Sequence, residues 1–210
     1  MLRRDLHVHT KYSHDSVAPV RSVLDRCRDS GLGLVAITDH NNIRGALEAR
    51  EVAVFPVIVG EEVKSSEGDI IRLFLEEAAP ARLSPTETVH RIKAQGGLAG
   101  IPHPFDRVRP TALGRRALVE ILPYVDFLEG YNGHTLLSAD NEKGVNFANE
   151  HSLATVASSD SHSALELGRH LGWSPGGLIR AIRAGRWTGK RPNPLLLMAP
   201  GYAMLRKVLG

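Results

Sequence analysis

Residues 5–15 read DLHVHTKYSHD, and the opening DLHVH decides how the rest of the chain is read. Leu6 and Val8 alternate with His7 and His9. A period of two is that of a β-strand, in which residues i and i+2 point to the same face. His7 and His9 therefore share one face, and Val8 turns into packing on the other. Further short apolar runs lie at 34–38 (LVAIT), 54–60 (VFPVIVG), 70–75 (IIRLFL), 98–102 (LAGIP), 125–130 (VDFLEG) and 154–158 (ATVAS). Between most of them are amphipathic stretches at 18–30, 43–50, 84–95, 112–121 and 138–151, with one more helix predicted over 175–184. Ser84-Pro85 followed by Glu87 reads as a capping box, and Gly96-Gly97 ends the segment it opens. Gly31 ends the first helix in the same way. Strands alternating with helices predict a parallel sheet with helices outside, and seven strands in one domain predict a barrel.

The chain has 210 residues, enough for one domain with a full core. Its 42% hydrophobic and 23% charged residues are ordinary for a globular protein. We expect a single barrel domain over 1–190, followed by a Pro-rich tail at 191–210 that packs on the domain or on a partner. The single Cys27 excludes an internal disulfide and reads as packing, as do the methionines, Trp173 and Trp187. The start MLRRDLHVHT has no apolar stretch of signal-peptide length, and no run reaches the ~20 apolar residues of a membrane span. The expectation is a cytoplasmic protein with no membrane partner; the sequence leaves its oligomeric state open. A net charge of +3 and a pI near 9.2 suit an anionic substrate without singling out nucleic acid.

The ten histidines are more informative, because of where they fall. His7 and His9 lie in the first strand. Asp39 and His40 follow the second, Glu61 and Glu62 the third, His103 the fifth, and Asp160 and His162 the seventh. The C-terminal strand ends of a parallel α/β barrel converge on one mouth, so these residues would meet there. Imidazole and carboxylate donors without cysteine suit zinc, manganese or iron. His90, His151 and His170 lie on or beside helices outside the pattern and read as ordinary polar residues; His14 and His134 lie near the mouth without a role assigned.

Taken in order, DLHVHTKYSHDS, AITDHN, VGEEV, GIPHPFDR, FLEGYN and ASSDSH resemble the successive motifs of the PHP superfamily (polymerase and histidinol phosphatase), over residues 5 to about 168. The resemblance implies a distorted seven-stranded (β/α) barrel and metal-dependent hydrolysis of phosphate esters. It implies that His7, His9, Glu62 and Asp160 hold one ion. Glu62 would bridge to a second, shared with His103, and Asp15, His40 and His162 would hold a third. Glu62 matches better than Glu61, as the second residue after Gly60. Asp39 would orient a ligand imidazole from behind. Two or three divalent ions are expected. The second site is in doubt, because many relatives carry another histidine near the end of the fourth strand, where this chain reads GDIIRLFLEE. Asp69, Glu76 and Asn132 are the residues near that gap.

Such a site would act through a metal-activated hydroxide, with His40 or His162 as the acid or base if left free of metal. Arg107 and Arg109, in the loop FDRVRPTALGRR, are the first expectation for gripping phosphate, with Lys11, Arg44 and Asn132 as further substrate contacts. The expected substrate is a small phosphorylated molecule. Nucleic-acid ends rank behind it, because aromatics are 5% of the chain and no basic–aromatic stretch stands out. Two other classes compete. A metal amidohydrolase or deaminase would share the His-x-His strand, but usually adds later histidines and a carbamylated lysine; only Lys64 is near a strand end. A non-catalytic metal-binding module would be expected to have lost ligands.

Overall fold

All seven apolar runs are strands: β1 (Leu2–Val8), β2 (Leu34–Ile37), β3 (Val57–Lys64), β4 (Asp69–Leu73), β5 (Leu98–Ile101), β6 (Phe127–Asn132) and β7 (Ala154–Ser158). The computed structural model describes residues 2–78, 80–168, 170–174, 186–189 and 198–209. Two further strands follow, β8 (His170–Ser174) and β9 (Arg186–Gly189). The helices are α1 (Val20–Asp29), α2 (Arg44–Val52), α3 (Pro85–Ala94), α4 (Arg115–Ile121), α5 (Ser138–Glu150) and α6 (Ala199–Leu209). The helix predicted over 175–184 and the tail residues 191–197 lie outside the described residues, as do the side chains of His170, Trp173 and Trp187.

The strands run β7-β6-β5-β4-β3-β2-β1-β8-β9 across one sheet, and the first seven curl into a nearly closed barrel. Closure is local. Val8 bridges Ser161 in parallel, with His9 N–H donating to the Ser161 carbonyl and Asp160 N–H to the His7 carbonyl, both at 2.9 Å. At its other end β1 pairs with β8 instead, antiparallel from Leu2 to Arg4. The expected all-parallel order fails at one strand: β4 is antiparallel to both β3 and β5. Residues 65–68 alone join β3 to β4, too few for the crossover of a dozen or more residues that parallel neighbours need. Gly68 serves this turn with φ +149, and a Cβ there would come within 2.6 Å of Leu113 Cα.

The barrel interior is a small apolar plug of Leu6, Leu34, Ala36, Ile58, Ile71, Leu73, Phe127 and Val156. Phe127 fills the space beside β5, where a Cβ on Gly100 would sit 2.1 Å from its ring. Val8, Val35, Ile37 and Val59 pack outward against α1 and α2. Ile70, Ala99, Ile101 and Leu128 do so against α3, α4 and α5. Ser84 caps α3, its Oγ accepting from Glu87 N–H at 3.1 Å, with Pro85 in the first turn. In the tail, α6 crosses the loop after β1, where Lys207 Nζ donates to the carbonyls of Lys11 (3.0 Å) and Ser13. Among the described residues no helix is long and apolar enough to cross a membrane.

Cys27 is buried on the inner face of α1. Burial, helped by the nearby Asp5 carboxyl, pushes its thiol up to about 12, so little thiolate forms at neutral pH. The native protein at pH 8 should react with a disulfide reagent roughly a hundredfold more slowly than the unfolded chain, paced by opening of α1. Rapid labelling of the native protein would show that α1 is not packed as described.

Candidate metal centre

The ligand-type residues gather at the mouth of the barrel. His7 ends β1 together with His9, and Asp15 lies in the loop beyond. His40, just after β2, bridges in parallel to Glu62 within β3. His103 follows β5, and Asp160 and His162 follow β7. His103 and Asp160 take φ +30 and +55, left-handed conformations uncommon for side-chain-bearing residues. Such strain collects where a side chain must be re-aimed off a strand end.

Four donor atoms form the deepest group. His7 Nε2 lies 3.0 Å from both His9 Nε2 and Glu62 Oε2, and 3.3 Å from Asp160 Oδ1. His9 Nε2 lies 3.3 Å from Glu62 Oε2 and 3.2 Å from Asp160 Oδ1. Atoms held ~2.1 Å from one central ion stand roughly 3.0–3.4 Å apart, so these spacings are those of a coordination shell. Two imidazole nitrogens facing each other at this distance need a proton or a metal ion between them. Glu62 turns its other oxygen to His103, with Oε1 3.2 Å from Nε2. A second group faces the solvent side: Asp15 Oδ2 meets His162 Nε2 at 3.0 Å and His40 Nε2 at 3.2 Å, with His9 adjacent. Two rings have their free nitrogen assigned by their partners. His7 Nδ1–H donates to Glu129 Oε1 at 2.9 Å and His162 Nδ1–H to the Asp160 carbonyl at 2.8 Å, which leaves each Nε2 to bind a metal.

The electrostatics agree with this donor set. Burial opposes charge on His7, yet Asp160, Glu129 and Glu62 outweigh it and hold the imidazole well above its ordinary value. His9 is likewise raised against burial, to about 10, by Asp160 and Glu62. Burial opposes charge on Glu62 and Asp160 as well, but the imidazoles, and Arg109 for Asp160, hold both well below the usual carboxylate range. A pocket this rich in buried carboxylate draws positive charge, and a divalent ion supplies it without the protons. A cavity of about 680 Å³ opens onto the cluster, lined by His14, Lys64, Asp69, Arg109 and His134 among others, with Pro200 and Met204 of α6 at its edge.

The PHP domain family matches residues 5–151, and a PHP-associated segment matches 139–187. The chain belongs to the PHP family. An uncharacterised Methanocaldococcus jannaschii protein is 41% identical over 144 residues, covering 62% of this chain and 84% of that one. Among solved structures, a two-domain Bacteroides vulgatus protein containing a predicted PHP-like metal-dependent phosphoesterase superposes with a TM-score of 0.76 at 18% identity, over 96% of this chain and 69% of its own. A Chromobacterium violaceum amidohydrolase with bound sulfate gives 0.67 at 20% identity over 91% and 99%. Endonuclease Q in complex with a duplex carrying an abasic lesion gives 0.65 at 18% over 91% and 60%. At these identities the likeness is one of fold.

Within this PHP barrel several residues stand elsewhere than the sequence suggested. Glu61 lies on the opposite face of β3 from Glu62 and pairs with the buried Arg72. Asp39 does not orient an imidazole: its carboxylate accepts from Thr10 N–H (2.6 Å) and Thr10 Oγ (2.7 Å), pinning the loop after β1. Arg107 is a forked partner of Asp140, with Nη2–Oδ1 at 2.6 Å and Nε–Oδ1 at 3.0 Å, and is outside the cavity lining. Lys11 pairs with Glu48 at 3.5 Å, and Arg44 lies over the Tyr12 ring; neither lines the cavity. Asn132 is buried behind the ligands, donating to Glu129 (2.8 Å) and Asp160 (3.1 Å). Arg109 does reach the site, with Nη1 2.7 Å from Asp160 Oδ2. His14 and His134 both line the cavity, His134 against Glu166 at 3.1 Å, whereas His90 and His151 are exposed away from it.

Sequence reasoning passed over Glu129, although a carboxylate within the apolar strand FLEGYN was itself a signal, since such a group is buried only when paired. It accepts from His7, from His103 N–H (2.9 Å) and from Asn132, so it holds two expected ligands at once. Glu129→Gln should keep the fold but weaken divalent-metal affinity about 10–100-fold, read by competition with a chelator. Unchanged affinity would show that His7 needs no such support.

Proposed function

We propose that this chain hydrolyses the phosphate esters of small molecules, using two or three divalent ions (zinc, manganese or iron). The observation that carries this reading is the set of 3.0–3.3 Å spacings among His7, His9, Glu62 and Asp160, beside a guanidinium that contacts Asp160 and lines the neighbouring cavity. Family membership supports it. His7, His9, Glu62 and Asp160 would hold one ion, Glu62 and His103 a second, and Asp15, His40 and His162 a third. Bound ions would lower the pKa of a coordinated water and offset charge on the phosphoryl oxygens.

The chain's own groups do the rest. Arg109 is tied to Asp160 through one nitrogen and lines the cavity, so its remaining N–H groups can meet a phosphoryl oxygen and orient the ester. His40 and His162 are assigned as ligands and not as acids, because both Nε2 atoms converge on Asp15 Oδ2. Glu166 holds the backbone N–H of both His162 and Ser163, which fixes the DSH turn. The cavity is of the size that takes a small ligand. Hydrolysis at nucleic-acid ends is the second reading, favoured by the shared fold of endonuclease Q, and α6 at the cavity edge argues against a bulky duplex.

The test is phosphate release from phosphomonoesters and diesters by metal-stripped protein resupplied with Mn²⁺, Zn²⁺ or Fe²⁺. Turnover should require metal and vanish in His7→Ala. Ammonia release from amides or nucleosides without phosphate release would overturn the reading in favour of an amidohydrolase. Arg109→Ala should lower kcat/KM tenfold or more, the loss of about 1.4 kcal/mol or more from a charge-assisted contact. Arg107→Ala should leave kcat/KM within about twofold, since its partner is Asp140. The reverse pattern would move phosphate binding to the other end of the loop.

A further inference from the structure

The second ion, which Glu62 would share with His103, lacks the fourth-strand histidine of many relatives. Its place would be sought near the end of that strand, but β4 runs antiparallel to β3. The start of β4 is therefore at the barrel mouth and its end at the far side. Glu76, past the end, is exposed. Asn132 is already committed to Glu129 and Asp160.

Asp69, the first residue of β4, is different. It is 1% exposed, lines the cavity, and pairs in register with Lys64, two residues from Glu62. Neither of its carboxylate oxygens makes a hydrogen bond of good geometry, though Thr111 is near. Lys64 Nζ is 3.7 Å away on a partly solvated side chain. A carboxylate oxygen of Asp69 lies within 4.8 Å of ligand atoms of both His40 and Glu62. A buried carboxylate with unused oxygens beside other ligand-type atoms is costly unless positive charge pairs with it.

We propose that Asp69 is a metal ligand, completing the ion that Glu62 shares, from the start of the inverted strand. This rests on the metal-site reading above and adds a residue to it. It makes the second site carboxylate-rich, with oxygen donors where relatives have nitrogen, and so shifts it toward manganese or iron(II) over softer ions.

The experiment is metal content after equilibration with Mn²⁺ and gel filtration, for wild type, Asp69→Asn, Asp69→His and His7→Ala, with thermal melts of each metal-free protein. Asp69→Asn should lose about one ion per chain and keep the remainder, and Asp69→His should recover it. Metal-free Asp69→Asn should melt a few degrees above metal-free wild type, because an under-compensated buried charge is gone, and should gain less from added Mn²⁺. Asp69→Asn that holds as many ions as wild type with equal affinity overturns the assignment. So does an Asp69→Asn protein that melts lower without metal, since that is the mark of a structural carboxylate. Wild type that binds no ion, or His7→Ala that keeps its full complement, overturns the metal-site reading itself.

Discussion

Two backbone hydrogen bonds hold the rest of the structure to its function: His9 N–H to Ser161 and Asp160 N–H to His7. They close the barrel between β1 and the end of β7, and they set His-Val-His beside Asp-Ser-His. Barrel closure and assembly of the candidate ligand cluster thus depend on the same contacts. The seam is reinforced by two buried polar contacts. Asp5 accepts from Ser159 N–H at 3.0 Å, and Ser16 Oγ donates to the His162 carbonyl at 2.9 Å. A one-residue slip along this seam would turn Val8 and Ser161 into the mouth and the ligands into the helix layer. Register is therefore specified twice, by the apolar outer face and by the buried donors.

Much of this was legible because it depends on period and order. Apolar runs separated by amphipathic stretches marked seven strands, and the i, i+2 rule separated His7 and His9 from Val8. The same parity separates Glu62 from Glu61, whose side chain meets Arg72 on the other face. Strand direction leaves no trace in a two-residue period, so the inversion of β4 could be read only from the shortness of 65–68. The strand His170–Ser174 carries two apolar residues, Leu171 and Trp173, and Arg186–Gly189 one, Trp187, runs too short to mark a strand among Gly, Ser, Arg and Thr.

Loops were the least legible, for a physical reason. Arg107 and Arg109 sit two apart in one loop with the same chemistry, and no periodicity says which turns inward. The decision was made by Asp140 at the start of α5, which captures Arg107 in a fork, and by Asp160, which captures Arg109. Tertiary partners 33 and 51 residues away in the sequence assign the two roles. Asn132 was misplaced in the same way: its strand position put it near the mouth, but Glu129 and Asp160 draw its amide behind the ligands.

On the proposed reading the charges at the mouth also bear on how many ions it holds. Glu62, Asp160, Asp15, Glu129, Asp69, Asp106 and Glu166 are buried carboxylates at or beside the mouth, and Arg109 is a guanidinium set among them. Lys64 is partly solvated and offsets little. The imidazoles are neutral once they serve as metal ligands. Seven negative charges against one positive leave an excess that three divalent ions would cancel. A third ion at Asp15, His40 and His162 would complete that neutralisation on the side that opens to the cavity, which these three residues line.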